Sequence, residues 1–449
     1  MRTSSYIIPV KLESETNKYM LIHGYTGAMD IVTDSLLAKI KNISSENTLS
    51  EKIVQALQKR GYITDKNEEE EYAYVARIAN ALHQKSKQLL TSFALVITYN
   101  CNFRCPYCFE EKSNKDGIRR IVFNKRMADK VFNAMEQIQP HKELKENTIL
   151  LYGGEPLLAE NKDIVKYIIE KGIKHGYKFS AITNGYDLDA FQDLLSPEMI
   201  CKLQITIDGD KFIHNQRRIH FQGYETFDKI ISNIKLALEK NAHVSVRINT
   251  DNINIGTINN LKQYLDERGY FSYPNFNISS AILKDYESSN NGNIEFLTPQ
   301  SYINKHEQNN TIPFCQDHGL FQLINHAMLK QHPLTFHSIY CSSQAGEYIF
   351  DPLGNIYPCL EVVGNNNHII GSYSNDSINW NETNVQYWHN YNISKHKLCK
   401  HCQYALLCSG GCPIHTRLGD STQCSFFPKA LKIAVNRSYK IYKEQNNIL

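Results

Sequence analysis

The sequence predicts an α/β protein in three parts, with a parallel sheet or barrel in the middle of the chain. An α+β module precedes this sheet, and an irregular region follows it. Six short apolar runs alternate with amphipathic helices between about residues 92 and 280, which is typical of βα repetition. Two β-rich runs and two helical patterns open the chain. Alternation fades after about residue 300, where seven of the twelve cysteines lie between Cys341 and Cys424.

The central repeat is the strongest structural pattern. Its helices are amphipathic, and one of them places five apolar side chains on a single stripe that we expect to be core. The predicted strands are FALVITY, TILLYG, FSAIT, KLQITI, HVSVRIN and FNISS. The stripe is Phe227, Ile230, Ile231, Ile234 and Leu238.

The two ends of the chain give weaker patterns. The runs SSYIIPVKL and KYMLIHGYTG predict strands, and DIVTDSLLAKIKN and LSEKIVQALQKRGYI predict helices. The acidic run DKNEEEEYAYVARI is interpreted as a solvated helix that leads into a linker. The predicted domains are 1–85, 86–300 and 301–449.

Composition excludes several classes of partner. The 449 residues carry 49 basic and 46 acidic side chains, a formal charge of +3, so we expect no nucleic acid partner. No apolar run approaches the roughly 18 residues of a membrane-spanning helix, so we expect no membrane partner and a cytoplasmic location. In that reducing compartment, clustered cysteines indicate metal binding or redox chemistry rather than disulfides.

Three cysteines follow the first central strand in the segment ITYNCNFRCPYCFEE. Cys101, Cys105 and Cys108 form a C-x3-C-x2-C array. Three thiolates on one tight loop can hold three irons of a cubane and leave the fourth iron open to another ligand. A zinc site that lacks a fourth ligand and a chance cluster are the alternatives, although the loop contains no histidine.

This loop resembles the signature of the radical S-adenosylmethionine (SAM) superfamily, which has an aromatic residue before the last cysteine, here Tyr107. The next strand end, YGGEP, resembles the superfamily segment that binds the amino group of the SAM methionine moiety. Two glycines allow close backbone approach, and a carboxylate suits an ammonium group. The residues are Tyr152, Gly153, Gly154, Glu155 and Pro156.

Later strand ends resemble other superfamily segments that line the SAM pocket, although each is also a plausible strand-terminating turn. These residues are Thr183, Asn184, Thr206, Asp208, Arg247 and Asn249. The resemblance implies a partial (β/α)6 barrel, related to the TIM barrel, with its site at the strand carboxyl ends. It also implies a catalytic 4Fe-4S cluster and SAM, which together generate a 5′-deoxyadenosyl radical. No catalytic side chain is assigned.

The C-terminal cysteines run Cys341-x12-Gly354-x4-Cys359 and then C-x2-C-x5-C-x3-C-x11-C. This string resembles the SPASM domain, an iron-sulfur domain that binds two auxiliary 4Fe-4S clusters. The resemblance implies three ligands for the first auxiliary cluster, with a fourth position that is either open or filled by Cys315. The resemblance implies four ligands for the second auxiliary cluster, for which a zinc ribbon is the alternative. The two sets are Cys341, Cys359 and Cys412, and Cys399, Cys402, Cys408 and Cys424.

These resemblances predict a substrate class. SPASM enzymes commonly modify peptides or proteins, and the N-terminal module resembles the leader-peptide recognition element of ribosomal peptide maturases, which adds an extended leader to a sheet edge. A structural cap on the barrel is the alternative. We therefore predict a peptide maturase that installs a thioether or carbon-carbon cross-link in a precursor peptide. Its electrons would come from a low-potential donor such as flavodoxin or ferredoxin.

Two other functions are alternatives to this prediction. An anaerobic sulfatase-maturing enzyme, which oxidises Cys or Ser to formylglycine, has an Asp directly after the second SPASM cysteine. Here Leu360 follows Cys359, and Glu361 comes one step later. An electron-transfer or metal-binding scaffold would not need the segments that resemble a SAM pocket.

Overall fold

The structure is a computed structural model, which describes residues 1–43, 49–89, 91–110, 117–285, 294–312, 319–330, 332–417 and 422–446. The chain divides into two compact units. The first joins Met1–Gln88, Asp317–Ala345 and Asn390–Leu449, and the second joins Leu89–Gln316 and Gly346–His389. The three domains predicted from the sequence stay a prediction.

The N-terminal part of the first unit contains five strands and three helices. Strands β2, β3 and β4 form an antiparallel sheet in that order, and β1 pairs with β5. The elements are β1 (Arg2–Thr3), β2 (Ile7–Lys11), β3 (Lys18–His23), β4 (Met29–Thr33), α1 (Asp34–Lys41), α2 (Glu51–Arg60), β5 (Ile63–Thr64) and α3 (Glu68–Leu89).

Two expectations for this region need correction. The helix predicted over DIVTDSLLAKIKN begins only at Asp34, because the β-branched residues before it pair with β3 as strand β4. The acidic run is not wholly solvated either. Glu71 is fully buried, and its carboxylate accepts hydrogen bonds from Arg2 Nη2 at 2.8 Å and Tyr25 Oη at 3.0 Å. A buried carboxylate is tolerated because it is paired and hydrogen-bonded.

The second unit is built on the predicted parallel strands. All six neighbour one another in chain order, from β6 to β11, and every pairing is parallel. The elements are β6 (Ser92–Thr98), α4 (Lys125–Ile138), β7 (Thr148–Gly153), α5 (Lys162–Lys174), β8 (Lys178–Thr183), β9 (Ile200–Thr206), α6 (Lys211–Arg217), α7 (Phe227–Glu239), β10 (His243–Thr250), α8 (Ile258–Glu267), β11 (Phe276–Ile282) and α9 (Pro299–Gln308).

The burial of this unit matches the sequence pattern. The predicted stripe on α7, from Phe227 to Leu238, is buried, and six of the seven residues of β6 are buried. Strands covered on both faces have near-continuous apolar sequences. The α/β fold with a partial TIM-like barrel is therefore confirmed.

The sheet extends beyond the six predicted strands. A seventh strand, β12 (Glu347–Phe350), pairs in parallel with β6, and three short antiparallel strands follow it, giving ten in all. Strands of two to four residues are too short to show an alternating pattern. These strands are β13 (Asn355–Tyr357), β14 (Gly371–Ser372) and β15 (Asn379–Trp380).

Five further helices complete the described structure. They are α10 (Leu320–Lys330), α11 (Glu382–His389), α12 (Ala405–Cys408), α13 (Pro413–Arg417) and α14 (Thr422–Gln445). Within the first unit, N-terminal and C-terminal segments share one apolar core, in which Tyr6 and Val75 belong to the same cluster as Ile393 and Leu406. None of the helices in the described ranges has both the length and the apolar character needed to cross a bilayer.

Candidate active site

A cavity of about 140 Å³ opens at the carboxyl ends of β6, β7, β8 and β9. This is the end of a parallel barrel at which active sites are found. Ten of the residues predicted from the sequence line it. They are Cys101, Cys105, Cys108, Tyr152, Gly153, Gly154, Glu155, Thr183, Asn184 and Thr206.

The three cysteines enter the cavity from the loop after β6. Burial raises the pKa of Cys101, and the negative charges of Glu155 and Cys105 raise it further. Burial also raises the pKa of Cys105. A thiol in such surroundings loses its proton to solvent only when a cation stabilises the thiolate, and a bound metal is such a cation. Three such thiols around one cavity therefore fit an iron-sulfur cubane with one open iron.

The end of β7 lies against this loop because its two glycines allow close contact. Gly153 has φ +139°, a conformation that residues with a side chain rarely adopt. A Cβ atom at Gly154 would stand 2.4 Å from the carbonyl oxygen of Asn100. The backbone amide of Glu155 donates to the same oxygen at 2.8 Å. The strand end and the cysteine loop are thereby joined around the cavity.

Glu155 is the buried acid of this cavity, with 2% of its surface exposed. Its carboxylate accepts hydrogen bonds from Thr183 Oγ1 and from the Asn184 amide, each at 2.6 Å. Burial nevertheless raises its pKa to about 7. No basic side chain in the described part of the chain forms a direct ion pair with it, although the positive charge of Arg218 partly offsets this increase in pKa. The site thus presents an oriented carboxylate without a salt-bridge partner.

The remaining predicted residues do not line the cavity. Tyr107, Asp208, Arg247 and Asn249 form a linked network instead, while Pro156 is buried beside Glu155. The Tyr107 hydroxyl donates to the Asp208 carboxylate, which also accepts from the Asn249 amide at 3.0 Å. Arg247 Nε donates to Asn249 Oδ1 at 3.0 Å.

Three charged residues of the cavity were missed by sequence analysis, Arg104, Glu110 and Arg218. Burial raises the pKa of Glu110 to about 7. Arg218 follows α6 and reaches the cavity because the chain there pairs with the cysteine loop. The Arg104 amide donates to the Ile219 carbonyl at 2.7 Å. Glu110 could have been noticed beside Cys108, but no local pattern marks Arg218.

The first unit brings four C-terminal cysteines close together. Burial raises the pKa of Cys399 to about 12, and the charges of Cys402, Cys408 and Cys424 contribute to the increase. One thiolate raises the pKa of another in this way only when the two sulfur atoms lie close together. These are the predicted ligands of the second auxiliary cluster, and that assignment stays a prediction.

The three predicted ligands of the first auxiliary cluster do not all belong to the first unit. Cys341 and Cys412 belong to the first unit and Cys359 belongs to the second. The alternative ligand Cys315 lies outside the described residues. This set also stays a prediction.

Comparison with known proteins identifies the central part of the chain. The model of the radical SAM superfamily matches residues 95–266, which include the cysteine loop and all four strand ends of the cavity. This part of the chain is a radical SAM domain. The superfamily predicted from the sequence is therefore confirmed.

A relative of known activity is similar over much of the chain. The cysteine-type anaerobic sulfatase-maturating enzyme of Clostridium perfringens (strain 13 / Type A) is 24% identical over 330 residues, which are 70% of this chain and 85% of the relative.

Two solved structures share the fold. Native anSMEcpe with bound AdoMet and the Cp18Cys peptide aligns with a TM-score of 0.58 at 18% identity, covering 80% of this chain and 100% of that one. Streptococcus suis SuiB aligns with a TM-score of 0.50 at 14% identity, covering 94% of this chain and 98% of that one.

Proposed function

We propose that this protein is a radical SAM peptide maturase that installs a cross-link, thioether or carbon-carbon, in a ribosomally made precursor. The observation that carries the proposal is the cavity of the radical SAM domain, where three thiols and a buried carboxylate meet at the strand ends. With SAM, a bound 4Fe-4S cluster supplies a 5′-deoxyadenosyl radical able to remove hydrogen from an unactivated carbon.

The residues of the cavity have distinct roles in this proposal. Cys101, Cys105 and Cys108 would hold the cluster. Glu155 would bind the ammonium group of SAM, because its carboxylate has no salt-bridge partner among the described residues and is already oriented by Thr183 and Asn184. Because this carboxylate is already ordered, binding of the ammonium group loses little further side-chain entropy.

Glu155→Ala is expected to weaken SAM binding about 10- to 100-fold without loss of iron, because a charged hydrogen bond contributes on the order of 1.5 to 3 kcal/mol. Equilibrium binding of SAM and iron analysis measure the two quantities. Glu160→Ala is the control, since Glu160 is exposed and its carboxylate accepts a hydrogen bond from Asn100 Nδ2 at 3.2 Å. Unchanged SAM affinity in Glu155→Ala would rule out the role.

A groove beside strand β4 supports a peptide substrate. Its volume is about 560 Å³, and it lies within the first unit. Strand β4 is an edge of its three-stranded sheet, and the Met29 carbonyl accepts from Arg60 Nη2 at 2.9 Å rather than from β3. Because backbone direction alternates along a strand, Ile31 also turns its backbone groups outward. An extended peptide could add there as a fourth strand.

The lining of this groove combines apolar and polar side chains. Its apolar residues include Met20, Met29, Ile31, Met328, Pro333 and Tyr442. Asp30, Lys59 and Arg60 also line it. Arg60 Nε pairs with Asp30 Oδ2 at 2.6 Å, so Lys59 is the basic side chain of this group that has no ion pair among the described residues. Such a groove suits a leader segment with alternating apolar side chains and some acidic character.

Ile31→Lys is expected to weaken precursor binding at least tenfold, because burial of an isoleucine contributes about 1.5 to 3 kcal/mol and the added charge must be desolvated. Basal SAM cleavage should not change. The matched control is Ile173→Lys on α5, since the exposed fractions of Ile31 and Ile173 are 43% and 42%. Equal precursor affinity in the two variants would show that β4 does not bind the leader.

Point changes test this groove better than truncation. Residues 1–85 include Tyr6 and Val75, which share an apolar core with Ile393 and Leu406. Removing them would expose that core and destabilise the first unit for reasons unrelated to peptide binding.

Sulfatase maturation is the second candidate function, and similarity to the C. perfringens enzyme over 85% of its length favours it. The position after Cys359 argues against it. Leu360 cannot act as a base, and Glu361 Oε1 pairs with Lys284 Nζ at 2.6 Å. The product decides between the functions, because formylglycine reacts with a hydrazide probe and a cross-link does not. A precursor product that carries a hydrazide-reactive aldehyde and no cross-link would favour the second function.

A further inference from the structure

Arg218 makes a direct contact with one of the cysteines of the cavity. Its Nη1 atom lies 3.3 Å from Cys105 Sγ and 3.2 Å from the Tyr107 hydroxyl oxygen. Its guanidinium also lies over the ring of Phe103, 5.3 Å from the centroid. All three partners belong to the cysteine loop. Arg218 therefore contacts the segment that would hold the catalytic cluster at three of its side chains.

Arg218 forms no direct ion pair with a carboxylate among the described residues. The charges that act on it most strongly are those of Cys105, Tyr107 and Asp208, and its Nε atom is buried without a hydrogen-bond acceptor. The neighbouring Arg217 differs, because its Nη1 pairs with Asp251 Oδ2 at 2.6 Å. A buried cation next to a thiol is costly unless that sulfur becomes negative.

The backbone keeps this contact in place. The Phe221 amide donates to the Asn102 carbonyl at 2.9 Å, and the Arg104 amide donates to the Ile219 carbonyl at 2.7 Å. These two bonds lie on either side of a bridge between Phe103 and His220. The segment after α6 and the cysteine loop therefore form one small antiparallel pair, which places Arg218 at the sulfur.

We propose that Arg218 is a positioning residue that donates a hydrogen bond to the Cys105 sulfur and raises the reduction potential of the cluster. The proposal rests on the cluster assignment made under the proposed function. One-electron reduction adds one negative charge to the cluster and its thiolates, without a proton. Hydrogen bonds and positive charge at the sulfurs stabilise that reduced state, and both are known determinants of cluster potential.

The test is an EPR-monitored redox titration of the reconstituted holoenzyme without SAM. The catalytic signal is identified as the one missing from a variant in which Cys101, Cys105 and Cys108 are all alanine. Arg218→Gln should lower its midpoint potential by at least 59 mV, a tenfold change in the ratio of reduced to oxidised cluster for a one-electron couple. Arg218→Lys should lower the potential less, because lysine retains the charge but not the planar donor geometry.

The matched control is Arg104→Gln. Arg104 also lines the cavity, but its Nη1 donates to the carbonyl oxygens of Cys101 and Phe103, each at 2.7 Å, and not to a sulfur. Its removal should shift the potential by less than a third of the Arg218→Gln shift. An equal shift in both variants would show that only general charge matters, and would overturn the proposal.

Three other outcomes are decisive. An iron-replete Arg218→Gln variant with an unchanged midpoint potential overturns the proposal. If that variant keeps its potential but binds SAM more weakly, Arg218 is a ligand of the SAM carboxylate. If the Gln variant does not assemble its cluster, an unchanged potential in Arg218→Lys overturns the proposal. A wild-type protein that assembles no cluster on the three cysteines would instead refute the proposed function, so the two failures are distinguishable.

Discussion

Replacing Cys101, Cys105 and Cys108 together with alanine is expected to abolish SAM cleavage. The three thiols line one buried cavity, and without them no iron can be held beside Glu155. The reconstituted protein should hold about twelve irons if all three predicted clusters form, at four per cubane, and the triple variant should lose about a third of them. Iron analysis and 5′-deoxyadenosine formation under reducing, anaerobic conditions measure both effects.

Cys201→Ala provides the matched control for this loss. Cys201 is half-buried, and its sulfur donates to the Phe179 carbonyl at 3.2 Å, so its removal should cost neither iron nor activity. Continued 5′-deoxyadenosine formation by the triple variant would contradict the catalytic assignment.

Cys359→Ala and Cys412→Ala are each expected to abolish mature product while 5′-deoxyadenosine continues to form. An oxidised cross-link requires that the substrate radical lose one further electron, so an acceptor must lie close to it. The resemblance to SPASM domains implies that these cysteines, with Cys341, would hold that acceptor. Mass spectrometry of the precursor, together with 5′-deoxyadenosine quantification, separates radical generation from product formation.

The comparison with Cys315→Ala identifies the fourth ligand of that site. If the fourth position is open to a substrate thiolate, we expect full activity in Cys315→Ala. Loss of auxiliary iron in this variant would instead show that the cluster has four protein ligands. Cys359 and Cys412 variants that are stable, iron-replete and still competent in cross-linking would disprove the proposed role. Zinc instead of iron on the C-terminal cysteines would exclude the auxiliary clusters.

The sequence by itself determined the central fold and the nature of the site. Six apolar runs with helices between them specify parallel strands, because strands buried on both faces need continuous apolar sequence. The cysteine spacing and the YGGEP segment are contiguous in sequence, so their chemistry can be recognised without a structure. Parallel strands end on one side of a sheet, and from this the meeting of Cys101, Glu155 and Thr183 could be expected.

Only the tertiary structure decided the features that depend on distant contacts. Arg218 reaches Cys105 because two backbone segments more than 100 residues apart pair with each other. Glu71 is buried because Arg2 and Tyr25 fold over it, although its local sequence is that of a solvated helix. Strand β12 joins the parallel sheet through β6, although four residues are too few to show a period. Local patterns report side-chain periodicity, whereas these features depend on long-range pairing, which no short window of sequence contains.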